Sequence, residues 1–219
     1  MFKVIRVEES LFEENKKIAQ EVKEILNKKR IFSFNIMGAP GSGKTSFIEK
    51  TIEILKEKYN FAVIEGDYEG KTDSERLEKF KIPIVQINSG SCHLDANMVK
   101  KGVLNLQLEG IDILFVENVG NLICPAELEI GTEKNIVIFS ITEGDDKIEK
   151  YPLIFKVSDI CILNKIDLLP YIEFDIKKFQ ENLKKLSPSI HFIKLSSKTG
   201  ENYNEWIEYL IKLKEAKKQ

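Results

Sequence analysis

Apolar positions along the chain follow two rhythms. Short, nearly unbroken runs, IFSFNIM (31–37), FAVIEGD (61–67), PIVQIN (83–88), IDILFVEN (111–118), NIVIFSIT (135–142), DICILNK (159–165) and IHFIKLSS (190–197), are strand-sized. Between them apolar residues recur at helical spacing, and the pattern predicts helices over about 8–29, 46–59, 73–80, 94–108 and 203–218. Strands alternating with helices indicate βαβ units, and strands apolar on both faces need helical layers on both sides. The expected fold is α/β: a three-layer, doubly wound, mostly parallel sheet. Residues 1–219 read as a single domain that includes the charged N-terminal helix.

Composition narrows the function classes. Net charge is −2, with 42% hydrophobic and 31% charged residues. That balance favours neither a nucleic-acid surface nor a membrane surface. The apolar runs fall short of the roughly 20 residues a membrane helix needs, and MFKVIRVEESLFEENKK lacks the apolar core of a signal peptide. Three cysteines, an odd number, argue for a reducing cytoplasm rather than a disulfide framework.

The strongest motif is GAPGSGKT, residues 38–45, which fits G-x-x-x-x-G-K-S/T between a predicted strand and a predicted helix. Glycines there let successive backbone N–H groups turn inward around a pyrophosphate at the positive end of the helix. Gly38, Ala39, Pro40, Gly41, Ser42, Gly43, Lys44, Thr45 and Ser46 are the expected phosphate contacts. Lys44 would face the β- and γ-phosphates and the Thr45 hydroxyl would face Mg2+.

NKID (164–167) ends a predicted strand, at the sheet edge where ligands bind. The Asp167 carboxylate can accept from guanine N1–H and the exocyclic amine, whereas adenine would present a lone pair there. Asn164 would meet the other edge of the base and the Lys165 stem its face. SSKTG places Ser196, Ser197 and Lys198 where backbone N–H groups could meet guanine O6. The order of these motifs favours GTP over ATP.

Asp67, closing EGD, and Glu117, in FVENVG, sit at strand ends where carboxylates can hold Mg2+ directly or through water. Gly120 is then the residue whose N–H would sense a γ-phosphate. Position 121 is Asn, where small GTPases place a water-orienting Gln. The three arginines, Arg6, Arg30 and Arg76, offer no obvious arginine finger. Slow unaided hydrolysis follows, on the order of one turnover per many minutes.

A second constellation uses the scarcest residues. Cys92 and His93 adjoin each other after the third strand, and Cys124 lies four residues past Gly120. With strand three beside strand four, all three could converge at one sheet edge. Thiolate and imidazole suit Ni2+, Zn2+ or Cu, and three ligands per chain leave a coordination position for water or a second subunit. From spacing alone, two buried cysteines and a hydrogen-bonded loop histidine remain an equal alternative. Cys161, within DICIL, and His191, within IHFIKL, read as structural.

GAPGSGKT, EGD, CHLDA (92–96), ENVGNLICPAE, TEGDD (142–146), NKID and SSKTG, in this order and from about Ser10 onward, closely resemble the HypB family, accessory GTPases of nickel–iron hydrogenase maturation. The resemblance implies a G domain of the signal-recognition and MinD-like class. It implies Ni2+ or Zn2+ held by Cys92, His93 and Cys124. It also implies nucleotide- or metal-dependent homodimers and transfer of nickel, with a zinc-containing HypA-type partner, toward a hydrogenase large-subunit precursor. Many members begin with a Cys-rich nickel motif and a His-rich tract. The first 91 residues here contain neither Cys nor His, so only the G-domain site is expected. A zinc-stabilised scaffold and a P-loop small-molecule kinase are the rival readings.

Overall fold

A computed structural model describes residues 7–68 and 76–217. The elements are α1 (Val7–Lys28), β1 (Phe32–Met37), α2 (Lys44–Leu55), β2 (Phe61–Asp67), β3 (Ile84–Asn88), α3 (Ala96–Asn105), β4 (Ile113–Glu117) and β5 (Lys134–Ser140). There follow α4 (Lys147–Lys150), α5 (Pro152–Val157), β6 (Ile160–Asn164), α6 (Ile176–Leu186), β7 (His191–Lys194) and α7 (Tyr203–Ala216). The predicted helix over 73–80 begins outside the described residues, and its visible part ends in a 3-10 turn, Glu78–Phe80. The sequence pattern did not single out α4, α5 or α6.

All seven strands pair in parallel, in the order β3-β2-β4-β1-β5-β6-β7. The strands β1, β4 and β6 are buried end to end, while β3 at the edge is only partly covered. Alternate residues feed opposite faces, as the period of two requires. Phe34, Phe115, Ile136, Ile138 and Ile162 join Phe47, Trp206 and Leu210 on one side. Leu114 and Val116 join Val22, Leu26 and Val103 on the other, and Val137, Phe139, Cys161 and Leu163 meet Phe155 and Phe179 there. Each such apolar side chain contributes about 1.5–3 kcal/mol of burial.

Helix α7 is fastened to α2 by buried polar contacts. Tyr203 Oη donates to Phe47 O at 2.6 Å and Trp206 Nε1 donates to Thr51 Oγ1 at 3.0 Å. Cys161 is fully buried in the core, and burial pushes its thiol far up. His191 stacks on Tyr209 at 3.8 Å between ring centres. Both are structural, as their positions within strands suggested.

One expectation is corrected. Strand β3 lies beside β2, not β4, because β2 pairs with both and fills the gap. The Cys92–His93 segment reaches β4 by crossing over the end of β2. Leu94 lies so close to Gly66 that a Cβ on residue 66 would stand 2.6 Å from the Leu94 side chain. A glycine in EGD is what lets the segment pass.

Candidate nucleotide and metal site

The phosphate loop is shaped by three glycines with positive φ, Gly38 at 149°, Gly41 at 73° and Gly43 at 98°. Such angles are open to glycine and costly for side chains. A Cβ at Gly43 would also lie 2.4 Å from Asn164 Nδ2. Lys44, nearly buried, folds back so that its ammonium approaches the Gly38 and Ala39 carbonyls at 3.5 and 3.4 Å. The ammonium thus lies against the loop's own carbonyls.

Two adjoining cavities meet at Gly43, Ser46 and Lys165. One, of about 580 Å3, is lined by the phosphate loop with Asp67, Glu117 and Gly120. The other, of about 750 Å3, is lined by Asn164, Asp167, Ser197 and Lys198. Together they suit a nucleotide laid across the carboxyl edge of the sheet. Ser196 stands behind the second cavity, and its Oγ donates to Asp167 Oδ1 at 2.6 Å.

Asn164 lines the larger cavity, as expected of a base contact, and is also tied to its neighbours. Its Nδ2 donates to Ser42 O at 3.0 Å, and its Oδ1 accepts from Ser197 N at 3.0 Å and Lys165 N at 2.8 Å. The buried side chain therefore ties the phosphate loop to the 164–167 and 196–200 segments. Lys165, held at φ 63°, reaches Gly41 O with its ammonium at 2.6 Å.

On the opposite rim, Thr45 Oγ1 donates to Glu117 Oε1 at 2.9 Å, and Asp67 shares their cavity. A hydroxyl and two carboxylates are hard oxygen donors of the kind Mg2+ takes, so these residues fit that ion. Arg76 also lines this cavity, engaged by Ser46 Oγ at 3.1 Å and by Glu49. Sequence reasoning, which saw in Arg76 no obvious arginine finger, did not place it beside the phosphate loop. Buried Glu65, paired in register with Glu117, was likewise passed over as part of a strand.

The soft ligands do converge. One ligand atom each from Cys92, His93 and Cys124 lies within 4.8 Å of the others. Cys92 is exposed and the other two are half-buried; no disulfide joins the thiols. The neighbouring Cys92 thiol, by hydrogen bonding, and then burial, hold Cys124 above the usual thiol range. Two thiols and an imidazole this close match the Cys/His donor sets of zinc and nickel proteins.

The cluster adjoins the phosphate loop. Gly120 packs against Pro40 so closely that a Cβ would lie 3.0 Å from it. The next residue, Asn121, bridges to Gly38, with Asn121 N donating to Gly38 O at 3.1 Å. Among the described residues no helix is long and apolar enough to cross a membrane.

Comparison with known proteins gives the family of the chain. The family described as "CobW/HypB/UreG, nucleotide-binding domain" matches residues 32–194. A probable hydrogenase maturation factor HypB of Methanocaldococcus jannaschii is 45% identical over 216 residues, 98% of each chain. The hydrogenase maturation factor HypB of Escherichia coli is 36% identical over 95% of this chain and 72% of its own length. A crystal structure of HypB from Helicobacter pylori in complex with nickel superposes with a TM-score of 0.88 at 35% identity, covering 93% of this chain and 96% of that one. The LAO/AO transport system kinase, at 16% identity and a TM-score of 0.57, shares the fold alone. The chain therefore belongs to the CobW/HypB/UreG family of nucleotide-binding domains, among its hydrogenase maturation factors of the HypB type.

Proposed function

We propose that this maturation factor is a GTP-hydrolysing metallochaperone that carries Ni2+, or Zn2+ in its place, on Cys92, His93 and Cys124. The observation that carries the proposal is the position of Cys124, four residues beyond Gly120, on the segment that packs against the phosphate loop. GTP would lie with its phosphates over Gly38–Ser46 and its base against Asp167 and the 196–198 turn. Mg2+ held by Thr45, Asp67 and Glu117 would neutralise charge on the β- and γ-phosphates. Attraction of the Gly120 N–H to the γ-phosphate would shift Cys124 relative to Cys92 and His93, gripping or releasing the cargo. Hydrolysis to GDP and phosphate would reset the loop. Without a water-orienting Gln, unaided turnover would be slow.

Three ligands per chain, one of them exposed, support a site that exchanges its metal rather than a closed four-ligand structural zinc. The open position is where a second copy, a HypA-type zinc-containing chaperone or the hydrogenase large-subunit precursor would complete the coordination. Nickel bound by the Helicobacter pylori relative supports the choice of cargo.

Metal titration in the GDP and GTP-analogue states, with oligomeric state followed in parallel, tests this reading. Affinity should differ between the two states, and Cys124→Ala should weaken binding and abolish the difference. Equal affinity of the wild type in both states would remove the coupling. A zinc that chelators cannot extract would instead favour a permanent scaffold.

A further inference from the structure

The two halves of the soft-ligand cluster are held by different devices. The Cys92–His93 half is tied into the sheet: Leu94 N donates to Asn118 Oδ1 at 2.9 Å, and Asn118 Nδ2 donates to Asn35 Oδ1 at 3.1 Å. Asn35 Nδ2 in turn donates to Asn135 Oδ1 at 3.1 Å. Asn118 and Asn35 are each 1% exposed and Asn135 is half-buried, so this relay of amides from the end of β4 through β1 to β5 is satisfied and mostly buried. A buried amide relay of this kind resists rearrangement.

The Cys124 half lies on a segment anchored by buried Leu122, Pro125 and Ala126, and one partly exposed side chain sets where its sulfur points. Asn121 Oδ1 accepts from Ile123 N at 2.7 Å and Cys124 N at 3.3 Å, closing the turn that presents the thiol. Its Nδ2 points at Cys124 Sγ from 3.5 Å, while its backbone N is held by Gly38 O. Both polar ends of the side chain thus engage the Ile123–Cys124 turn. An amide in this posture serves the sulfur and is not posed to orient a water for attack on GTP.

We infer that Asn121 is a positioning residue of the metal site: it ties the Cys124 sulfur to the phosphate loop and donates a hydrogen bond to it, so that a pull on Gly120 moves the sulfur against the Cys92–His93 pair. An N–H aimed at a thiolate is stronger than one aimed at a thiol, because the acceptor is charged. Partners that orient a metal ligand from behind in this way typically change metal affinity 10- to 100-fold when removed. Asn121 lies directly after Gly120, so any pull on Gly120 is transmitted to the sulfur through a single peptide unit.

The inference rests on the metallochaperone reading, and two substitutions separate the two. Asn121→Ser keeps a hydroxyl able to accept from the turn amides but too short to reach the sulfur; Asn121→Ala removes both contacts. Ni2+ titrations of the full chain, followed by thiolate-to-nickel charge-transfer absorption, are run with GDP and with a non-hydrolysable GTP analogue. Thermal melts and GDP binding report folding, and the Ser variant carries the test should the Ala variant fail to fold. Both variants should bind Ni2+ about 10- to 100-fold more weakly, with the charge-transfer band at longer wavelength because the sulfur is more electron-rich. The affinity ratio between nucleotide states should fall toward one. Wild-type affinity, band position and ratio in Asn121→Ser would show that Asn121 merely closes a turn, overturning the inference and leaving the metallochaperone reading standing. Wild-type protein that takes up no Ni2+ through Cys124 would overturn both.

Discussion

The carboxylate of Asp167 is aimed before any ligand arrives. Ser196 Oγ donates to it at 2.6 Å and itself accepts from Thr199 N at 3.1 Å, so the 196–200 turn and the 164–167 segment orient each other. That arrangement leaves Asp167 facing the larger cavity with an acceptor for a base carrying two adjacent donors. Guanine has them at N1 and the 2-amino group. Asp167→Asn keeps the shape and replaces one acceptor oxygen with a donor. Two charge-assisted hydrogen bonds, each about 1.5–3 kcal/mol, are then lost or reversed. GTP affinity should fall by roughly 100-fold or more, while xanthosine triphosphate, with a carbonyl in place of the 2-amine, should bind better than GTP. Competition between the two nucleotides for the variant decides it; an unchanged preference for GTP would move the base elsewhere.

At the scale of elements, function collects where strands end. The carboxyl ends of β1, β2, β4, β5 and β6 carry the phosphate loop, Asp67, Glu117, the 141–146 turn and Asn164. The turn after β5 is a capping box in which Glu143 Oε1 accepts from Ser140 N at 2.9 Å. Burial pushes the Glu143 carboxyl above its usual range, against the opposing hydrogen bond from Ser140 and the nearby Lys147, Lys165 and Lys44. A carboxyl whose folded pKa is raised binds more protons folded than unfolded across that window. The folded state therefore loses stability as pH rises from the ordinary carboxylate range through the raised value. Glu143→Gln can keep the bond to Ser140 N without the buried charge. Its melting temperature should exceed that of the wild type at neutral pH and converge with it near pH 4, read from paired thermal melts. A lower melting temperature at neutral pH would mean that the neighbouring lysines outweigh burial.

The strands were legible because β4 and β6 are apolar on both faces and β1 and β5 are short, mostly apolar runs, and the phosphate loop because its glycines obey a local rule. Strand order was not, since periodicity reports what faces a core and not which strand is the neighbour. The passage of Leu94 over Gly66 depends on that order, and so does the link from Leu94 to Asn118. Helix α6, DIKKFQENLKKLS with Asp175 accepting from Lys178 N at 2.9 Å, was legible and went unread: Ile176, Phe179, Leu183 and Leu186 recur at helical spacing. Asn121 was noticed only for the Gln it replaces. Its bond to a sulfur three residues on is a turn geometry that spacing alone does not reveal.

Across the whole molecule, α1 is the element that joins the halves of the metal site from outside the sheet. Asn15 Oδ1 accepts from Ala96 N at 2.9 Å, at the end of the Cys92–His93 segment, and Asn15 Nδ2 donates to Glu129 O at 2.8 Å, on the stretch that follows Cys124. Deeper along the helix, Val22 and Leu26 are buried against α3, and Gly131 approaches Ala19 O so closely that a Cβ would lie 2.3 Å from it. One helix thus braces both ligand-bearing segments, while none of these contacts touches the phosphate loop. Asn15→Ala removes two hydrogen bonds of about 1 kcal/mol each, which lowers the melting temperature by several degrees in a chain of this size. Because the lost bonds lie on either side of the cluster, Ni2+ affinity should fall several-fold with the GDP dissociation constant within about twofold of wild type. Gln20→Ala serves as the control: Gln20 is an exposed polar residue of α1, and among the described residues its side chain bonds to Glu24 of the same helix, at 3.0 Å. If Asn15→Ala and Gln20→Ala titrate alike with Ni2+, α1 stabilises the fold without shaping the metal site. If only the first loses metal, the helix is part of the device that holds the cargo.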